Sequence, residues 1–147
     1  MSNIEKRQQL ETAYAGARAR FPEVAEITAE ELMQRHPDPD LVLVDVREEA
    51  ERVVSMIPGA ITAARFEQEM DQHTGKTIVP YCTIGGRSGR YSQALAARGW
   101  NVLNFRGSIL AWTHAGGELV NNEGPTRRVH THSKRMNLVA EGYEGIW

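Results

Sequence analysis

Apolar residues Leu10, Ala13, Tyr14, Ala17 and Phe21 recur at three- and four-residue steps. That spacing predicts an amphipathic helix, which Pro22 ends. Thr28 followed three residues later by Glu31 has the form of a capping box and opens a second, short helix whose apolar face begins at Leu32 and Met33. His36-Pro37-Asp38-Pro39-Asp40 breaks the pattern as a loop. Leu41-Val42-Leu43-Val44 is then continuously apolar between turn residues, as expected of a strand buried on both faces of a parallel sheet. Glu48 to Val54 suits a short helix that Pro58-Gly59 terminates, and Ile61 to Met70 suits one or two further helical turns. Thr77 to Tyr81 has strand composition, with Pro80 as its one awkward member, because proline lacks a ladder donor. That residue is expected where its missing N–H is not needed. Tyr91, Ala94, Leu95 and Arg98 mark a helix closed by Gly99, Val102 to Phe105 a strand, and Ser108 to His114 a last short helix. Strands alternating with helices imply βα units and a parallel sheet covered on both faces. After Asn121 to Pro125 comes a mildly basic tail that the pattern leaves unassigned.

The chain has 147 residues, 41% of them hydrophobic and 24% charged. It is long enough to bury its own core without disulfides or a structural metal. A net charge of −2 carries no basic excess, so nucleic acid is not an expected partner. No apolar run approaches the length of a membrane span. The single cysteine fits a reducing compartment, and the polar N-terminus does not read as a secretory signal. Cytoplasm is the expected location. Arg7, Arg18 and Arg20 leave organellar import open, against the acidic Glu5 and Glu11.

That cysteine carries the candidate chemistry. Tyr81-Cys82-Thr83-Ile84-Gly85-Gly86-Arg87-Ser88-Gly89-Arg90 follows a predicted strand and opens a predicted helix, where ligands bind in open α/β sheets. The glycines allow the backbone to curl so that successive N–H groups converge, and the helix N-terminus adds positive partial charge. Arg87 and Arg90 add full charges. These surroundings favour a thiolate at Cys82 and a bound anion. No Cys-His-Asn arrangement is evident, and a preformed thiolate needs no general base. Lone cysteines are usually inert core residues. The strand end, the glycines and the arginine move this one toward function.

The same residues resemble the rhodanese family. Tyr81 to Ser88 matches the Y-C-x-x-G-x-R-S signature of its single-domain members. Leu43-Val44-Asp45-Val46-Arg47-Glu48 resembles its V-D-V-R-E strand end, and Ile57-Pro58-Gly59-Ala60 its I-P-G-A turn. Gly99-Trp100-Asn101-Val102 and Arg106 to Trp112 resemble two further segments, all in the family's order from Ile27 to Val120. The resemblance implies a rhodanese-like α/β domain with a central parallel five-stranded sheet flanked by helices. It implies transfer of a sulfane sulfur from a small anionic donor such as thiosulfate, through a Cys82 persulfide, to cyanide or a thiol. Thioredoxin or another sulfur-carrier protein would serve as an acceptor. Four residues separate Cys82 from Arg87. That is the loop length of the sulfurtransferases, whereas related phosphatases and arsenate reductases have one residue more. Three departures stand out: Ser55-Met56 for Gly-His, Ser108 for a second glycine, and Pro80 in the strand before Cys82. None is expected to touch the loop.

The expected architecture is therefore an N-terminal helical extension over 1–23, a rhodanese-like domain over 24–120 and a tail over 121–147. Cys82 is the expected nucleophile, and Thr83, Ile84, Gly85, Gly86, Arg87 and Ser88 form the anion-binding loop. Asp45, Arg47 and Arg90 are supporting candidates, the first two more readily explained as a backbone cap and its ion pair. No metal or organic cofactor is expected, because His130 and His132 lack further ligands and read as a solvated tail. Arg127, Arg128, Lys134 and Arg135 read as wet surface, Trp100 and Trp112 as packing. Two rival functions remain: a non-catalytic module that binds a protein through this fold, and a redox-sensing thiol.

Overall fold

A computed structural model describes all 147 residues. Helix α1 (Asn3–Arg18) starts a full two turns before the first apolar marker, because Ser2 and Glu5 close a capping box at its head. The short strand β1 (Glu26–Ile27) leads into α2 (Ala29–Arg35), capped by Thr28 and Glu31 as the spacing predicts. Strand β2 (Leu41–Asp45) is buried along its whole length. Helix α3 (Glu49–Arg52) is one turn only. Ile61 to Met70 divides differently from its helical reading: Ile61–Thr62 form strand β3 before α4 (Ala63–Gln68) begins at a Thr62 cap. Strand β4 (Thr77–Tyr81), α5 (Gly86–Ala97), β5 (Asn104–Phe105) and α6 (Ser108–His114) complete the alternation.

The sheet is parallel throughout. Strand β2 pairs with β3 on one side and with β4 over five residues on the other, from Leu41 opposite Thr77 to Asp45 opposite Tyr81. Strands β1 and β5 form a second parallel pair. A single parallel bridge, Ile78 to Val102, joins the two and gives the order β3-β2-β4-β5-β1. Five strands are thus present, but as ladders of three and two rather than one continuous sheet. Pro80 supplies a reason. The Ile78 N–H donates to Asn101 and its carbonyl accepts from Leu103, so the Pro80 nitrogen, two residues on, faces the same side. Its absent N–H falls where the β4–β5 ladder has shrunk to one bridge.

The tail is structured. Strands β6 (Leu119–Asn121) and β7 (Gly124–Thr126) make an antiparallel hairpin, and β8 (Arg128–His130) pairs in parallel with β9 (Glu144–Ile146). Both ends of the chain enter the main core. Leu10 from α1 and Val129, Leu138 and Val139 from the tail are buried in one cluster with Val79, Phe105 and Trp112. A second cluster, on the other sheet face, gathers Val42, Val44, Phe66, Ile78, Leu95 and Val102, with Trp100 edge-on to Phe66. The alternating residues of β2 and β4 divide between the clusters, the pattern of a sheet covered on both sides.

Candidate active site

Strand β4 delivers Cys82 at its carboxyl end, and the chain bends through Thr83 to Gly85 before α5 begins at Gly86. Gly85 has φ +121°, and a Cβ there would stand 2.7 Å from the Tyr14 ring, so both backbone and packing exclude a side chain. The bend aims N–H groups at the sulfur. Gly85 N–H donates to Cys82 Sγ at 3.2 Å and Ser88 N–H at 3.5 Å, with the Ser88 hydroxyl 3.4 Å away. The convergence expected of the glycine-rich loop is therefore made by two residues on one side of a buried thiol. Gly86 and Gly89 have other roles than backbone curl. Their φ values are not positive, and a Cβ on Gly89 would lie 2.0 Å from the Phe21 ring. Gly89 makes room for the chain that follows α1.

Behind the loop, the Cys82 N–H donates to Ser108 Oγ at 3.1 Å, and that hydroxyl donates to the Phe105 carbonyl at 3.0 Å. Ser108 is buried with φ +48°, a left-handed conformation that glycine adopts without strain. The expectation that Ser108 stays clear of the loop is wrong: its hydroxyl holds the backbone of the cysteine itself. Asn104 Nδ2 donates to the Gly85 carbonyl at 3.0 Å and ties the bend to β5.

Arg87 turns from the loop to Glu51 of α3. Its two terminal nitrogens each donate to one carboxylate oxygen at 2.8 Å, and one also donates to Thr83 Oγ1 at 3.0 Å. Burial pushes the Glu51 carboxyl up, but the Arg87 hydrogen bonds and the Glu48 N–H outweigh it and hold the group at about 2. The same hydrogen bonds push Arg87 above its ordinary value. Arg87 therefore braces the loop, with its charge largely matched. Glu51 escaped the sequence reading. Its only signal was a carboxylate on the helix after β2, which does not stand out from Glu48 and Glu49.

Asp45 and Arg47 form a separate, fully buried network at the end of β2. Asp45 Oδ1 accepts from the Arg47 N–H and Nε at 3.0 Å, and Oδ2 accepts from an Arg47 terminal nitrogen at 2.7 Å and from Tyr81 Oη at 2.8 Å. Arg47 also donates to the Ser55 carbonyl, and Tyr81 Oη accepts from the Ile57 N–H. Neither Asp45 nor Arg47 borders the cavity over the cysteine.

That cavity has a volume of about 710 Å³. Cys82, Thr83, Ile84, Gly86, Arg87 and Arg90 form one side of it. The opposite side comes from outside the βα units: Ala13, Gly16, Ala17 and Arg20 from α1 and the turn after it, and His132 and Met136 from the tail. Arg90, a supporting candidate, is among the residues that line the cavity. Arg20 and His132 were not expected there. The 13, 16, 17, 20 spacing of one helix face was legible in Arg20's case, whereas nothing local indicates His132. His132 has φ +73° and its N–H donates to His130 Nδ1, so the two histidines do not share a strand face. No group of three or more His, Cys, Asp or Glu side chains is placed so that it could hold a metal ion.

Residues 28–115, more than half of the chain, match the rhodanese-like domain family, and the protein belongs to that family. A sulfurtransferase of Allochromatium vinosum is 37% identical over 106 residues, which cover 69% of this chain and 99% of that protein. Thiosulfate:glutathione sulfurtransferase of Saccharomyces cerevisiae is 29% identical over 98 residues, covering 55% of this chain and 70% of the yeast one. Among solved structures, the thiosulfate sulfurtransferase of Pseudomonas aeruginosa superposes with a TM-score of 0.61 at 23% identity. It covers 92% of this chain and 26% of that longer one, a likeness of fold.

Proposed function

We propose that this protein is a sulfurtransferase in which Cys82 carries sulfane sulfur as a persulfide. The observation that carries the reading is a buried Cys82 that lines a cavity, with the Gly85 and Ser88 N–H groups directed at its Sγ. Such donors suit an anionic sulfur, both as attacking thiolate and as the outer atom of a persulfide. The activity carried by the name of the Allochromatium relative supports the same reading.

In the first step the Cys82 thiolate attacks the sulfane sulfur of thiosulfate. An S–S bond forms to Cys82, the sulfur–sulfur bond of the donor breaks, and sulfite leaves with the electron pair. In the second, a thiolate or cyanide attacks the outer sulfur, which departs as a persulfide or thiocyanate and returns Cys82 to thiolate. Neither step requires a metal, a cofactor or a proton relay. The loop residues Thr83 to Ser88 hold the outer sulfur, and Arg87 keeps the loop in place through Glu51. A lone, reactive thiol of this kind is best kept in the cytoplasm, where it stays reduced.

Thiosulfate-to-cyanide transfer with intact mass measurement tests the proposal. After thiosulfate, the protein is expected to gain the mass of one sulfur atom, lose it to cyanide, and lose both properties in Cys82→Ser. A chain that never gains the sulfur, or a Cys82→Ser variant that still produces thiocyanate, would refute it.

A further inference from the structure

Strand β4 ends at Tyr81, whose carbonyl accepts from the Val46 N–H at 3.1 Å. One residue on, the N–H of the buried Cys82 has passed beyond the ladder and finds no backbone acceptor. A buried donor left in that state is costly. The Ser108 hydroxyl supplies the partner at 3.1 Å, while donating to the carbonyl of Phe105, the last residue of β5, at 3.0 Å. One side chain thus ties together the ends of two strands that are otherwise joined by the single bridge of Ile78 to Val102. The next residues of α6 continue the hold. Ile109 N–H donates to the Cys82 carbonyl at 3.2 Å and Leu110 N–H to the Thr83 carbonyl at 3.3 Å. The peptide groups on both sides of the cysteine are therefore fixed from α6, and Sγ is left to meet the Gly85 and Ser88 N–H groups.

Ser108 makes these contacts fully buried and from φ +48°. Glycine takes up that conformation without the crowding that a Cβ brings. A residue held in a sparsely populated conformation beside a reactive group is a reason to look for a function there. Glycine at this position would ease the backbone and at the same time remove the hydroxyl. The two effects of the residue are therefore separable by substitution.

We infer that Ser108 is a positioning residue for Cys82: through the cysteine's N–H, its hydroxyl sets the direction in which Sγ is presented to the two loop N–H groups. Ser108 does not border the cavity and acts only through the cysteine backbone. The inference takes Cys82 as the reacting group and in that respect rests on the sulfur-transfer reading above. With the hydroxyl gone, the cysteine peptide loses one of its fixed points, Sγ turns away from the Gly85 and Ser88 N–H groups, and the thiolate loses part of its stabilisation.

The test compares Ser108→Gly with Ser108→Ala. Both remove the hydroxyl, but only glycine also removes the Cβ from the left-handed conformation, so Ser108→Gly is expected to melt above Ser108→Ala. Cys82 is the one cysteine of the chain, and its alkylation by iodoacetamide, followed by intact mass across pH, reads the sulfur directly. Near neutral pH both variants are expected to alkylate about threefold to tenfold more slowly than wild type, the scale of one hydrogen bond. The deficit is expected to close at alkaline pH, where the thiolate no longer depends on the loop donors. For sulfur uptake from thiosulfate, kcat is expected to fall by a similar factor, with KM within about twofold of wild type. A Ser108→Gly protein that alkylates at the wild-type rate overturns the inference, whatever Ser108→Ala does. A deficit of the same size at every pH also overturns it, because access to the sulfur rather than its orientation would then have changed. The alkylation measurements do not depend on transfer: if Cys82 never takes up sulfur, the sulfur-transfer reading fails while the profiles still decide the role of Ser108.

Discussion

Arg47 and Arg87 each hold a carboxylate in two-point contact, in surroundings that differ sharply. The Arg47–Asp45 pair has both side chains fully enclosed, and its oxygens and nitrogens are shared with Tyr81, Ser55 and the backbone. The Arg87–Glu51 pair joins a carboxylate that is 3% exposed to a guanidinium that is 38% exposed. Burying an ion pair costs desolvation that its attraction scarcely repays, but losing one partner of such a pair is severe. The inner pair thus fixes how the end of β2 meets β4, and removing a member damages the fold. The outer pair lies between α3 and the loop, where water screens it, and removing a member is expected to damage the loop first. A third pair, Arg128–Glu144, is exposed at both ends by 57% and 63% and marks the limit where little is gained.

The comparison breaks most visibly at Asp45. Asp45→Ala leaves the Arg47 charge buried and unmatched, and is expected to cost roughly 3–5 kcal/mol in urea denaturation. A loss below about 1 kcal/mol would mean that the pair is dispensable to the fold. Next comes Glu51→Gln, which keeps the shape and removes the charge. It is expected to slow sulfur uptake from thiosulfate by about tenfold, the equivalent of one weakened charged hydrogen bond, with a smaller change in stability. The reverse order, stability falling with uptake intact, would assign Arg87 to the fold alone.

Acid sharpens the same contrast. The Glu51 carboxyl is held at about 2 against an ordinary value of 4.5. A lowered value means that the pair's contribution is fully present above the ordinary range and is lost as pH falls from about 4.5 toward 2. Glu51→Gln is therefore expected to flatten that part of the stability profile, with its loss of stability largest near neutrality and vanishing as pH falls toward 2. At the small end, Glu144→Ala is expected to change stability by less than about 0.5 kcal/mol, read from the thermal midpoint. A larger loss would show that the β8–β9 ladder depends on its exposed pair.

The parts of this molecule that can be read from the chain are those decided by neighbours in sequence. Thr28 with Glu31 sets the start of α2, and the unbroken apolar run at Leu41 becomes a strand buried on both faces. Cys82 lies at a strand end before a helix, as its flanking residues imply. What escaped depends on distant partners. Ile61 and Thr62 have no strand pattern of their own and become β3 only against Val44 and Asp45. Glu51 becomes a site residue only through Arg87, which lies 36 positions away. Gly89 resembles a flexible loop residue until Phe21 is seen resting on it. The tail resisted reading because its strands are three residues long, too short for a period to register.

The seat that Gly89 offers Phe21 has a consequence for how the site is kept whole. Together with Tyr14 against Gly85, it makes the first helix a peptide bound by its own protein. The segment between Phe21 and Glu26 is a short tether. A short tether holds its cargo at an effective concentration on the order of millimolar. Docking too weak to capture a free peptide is then enough to keep one wall of the cavity standing. Any side chain at position 89 would act as a competitor for that seat, evicting the aromatic ring without touching the sulfur.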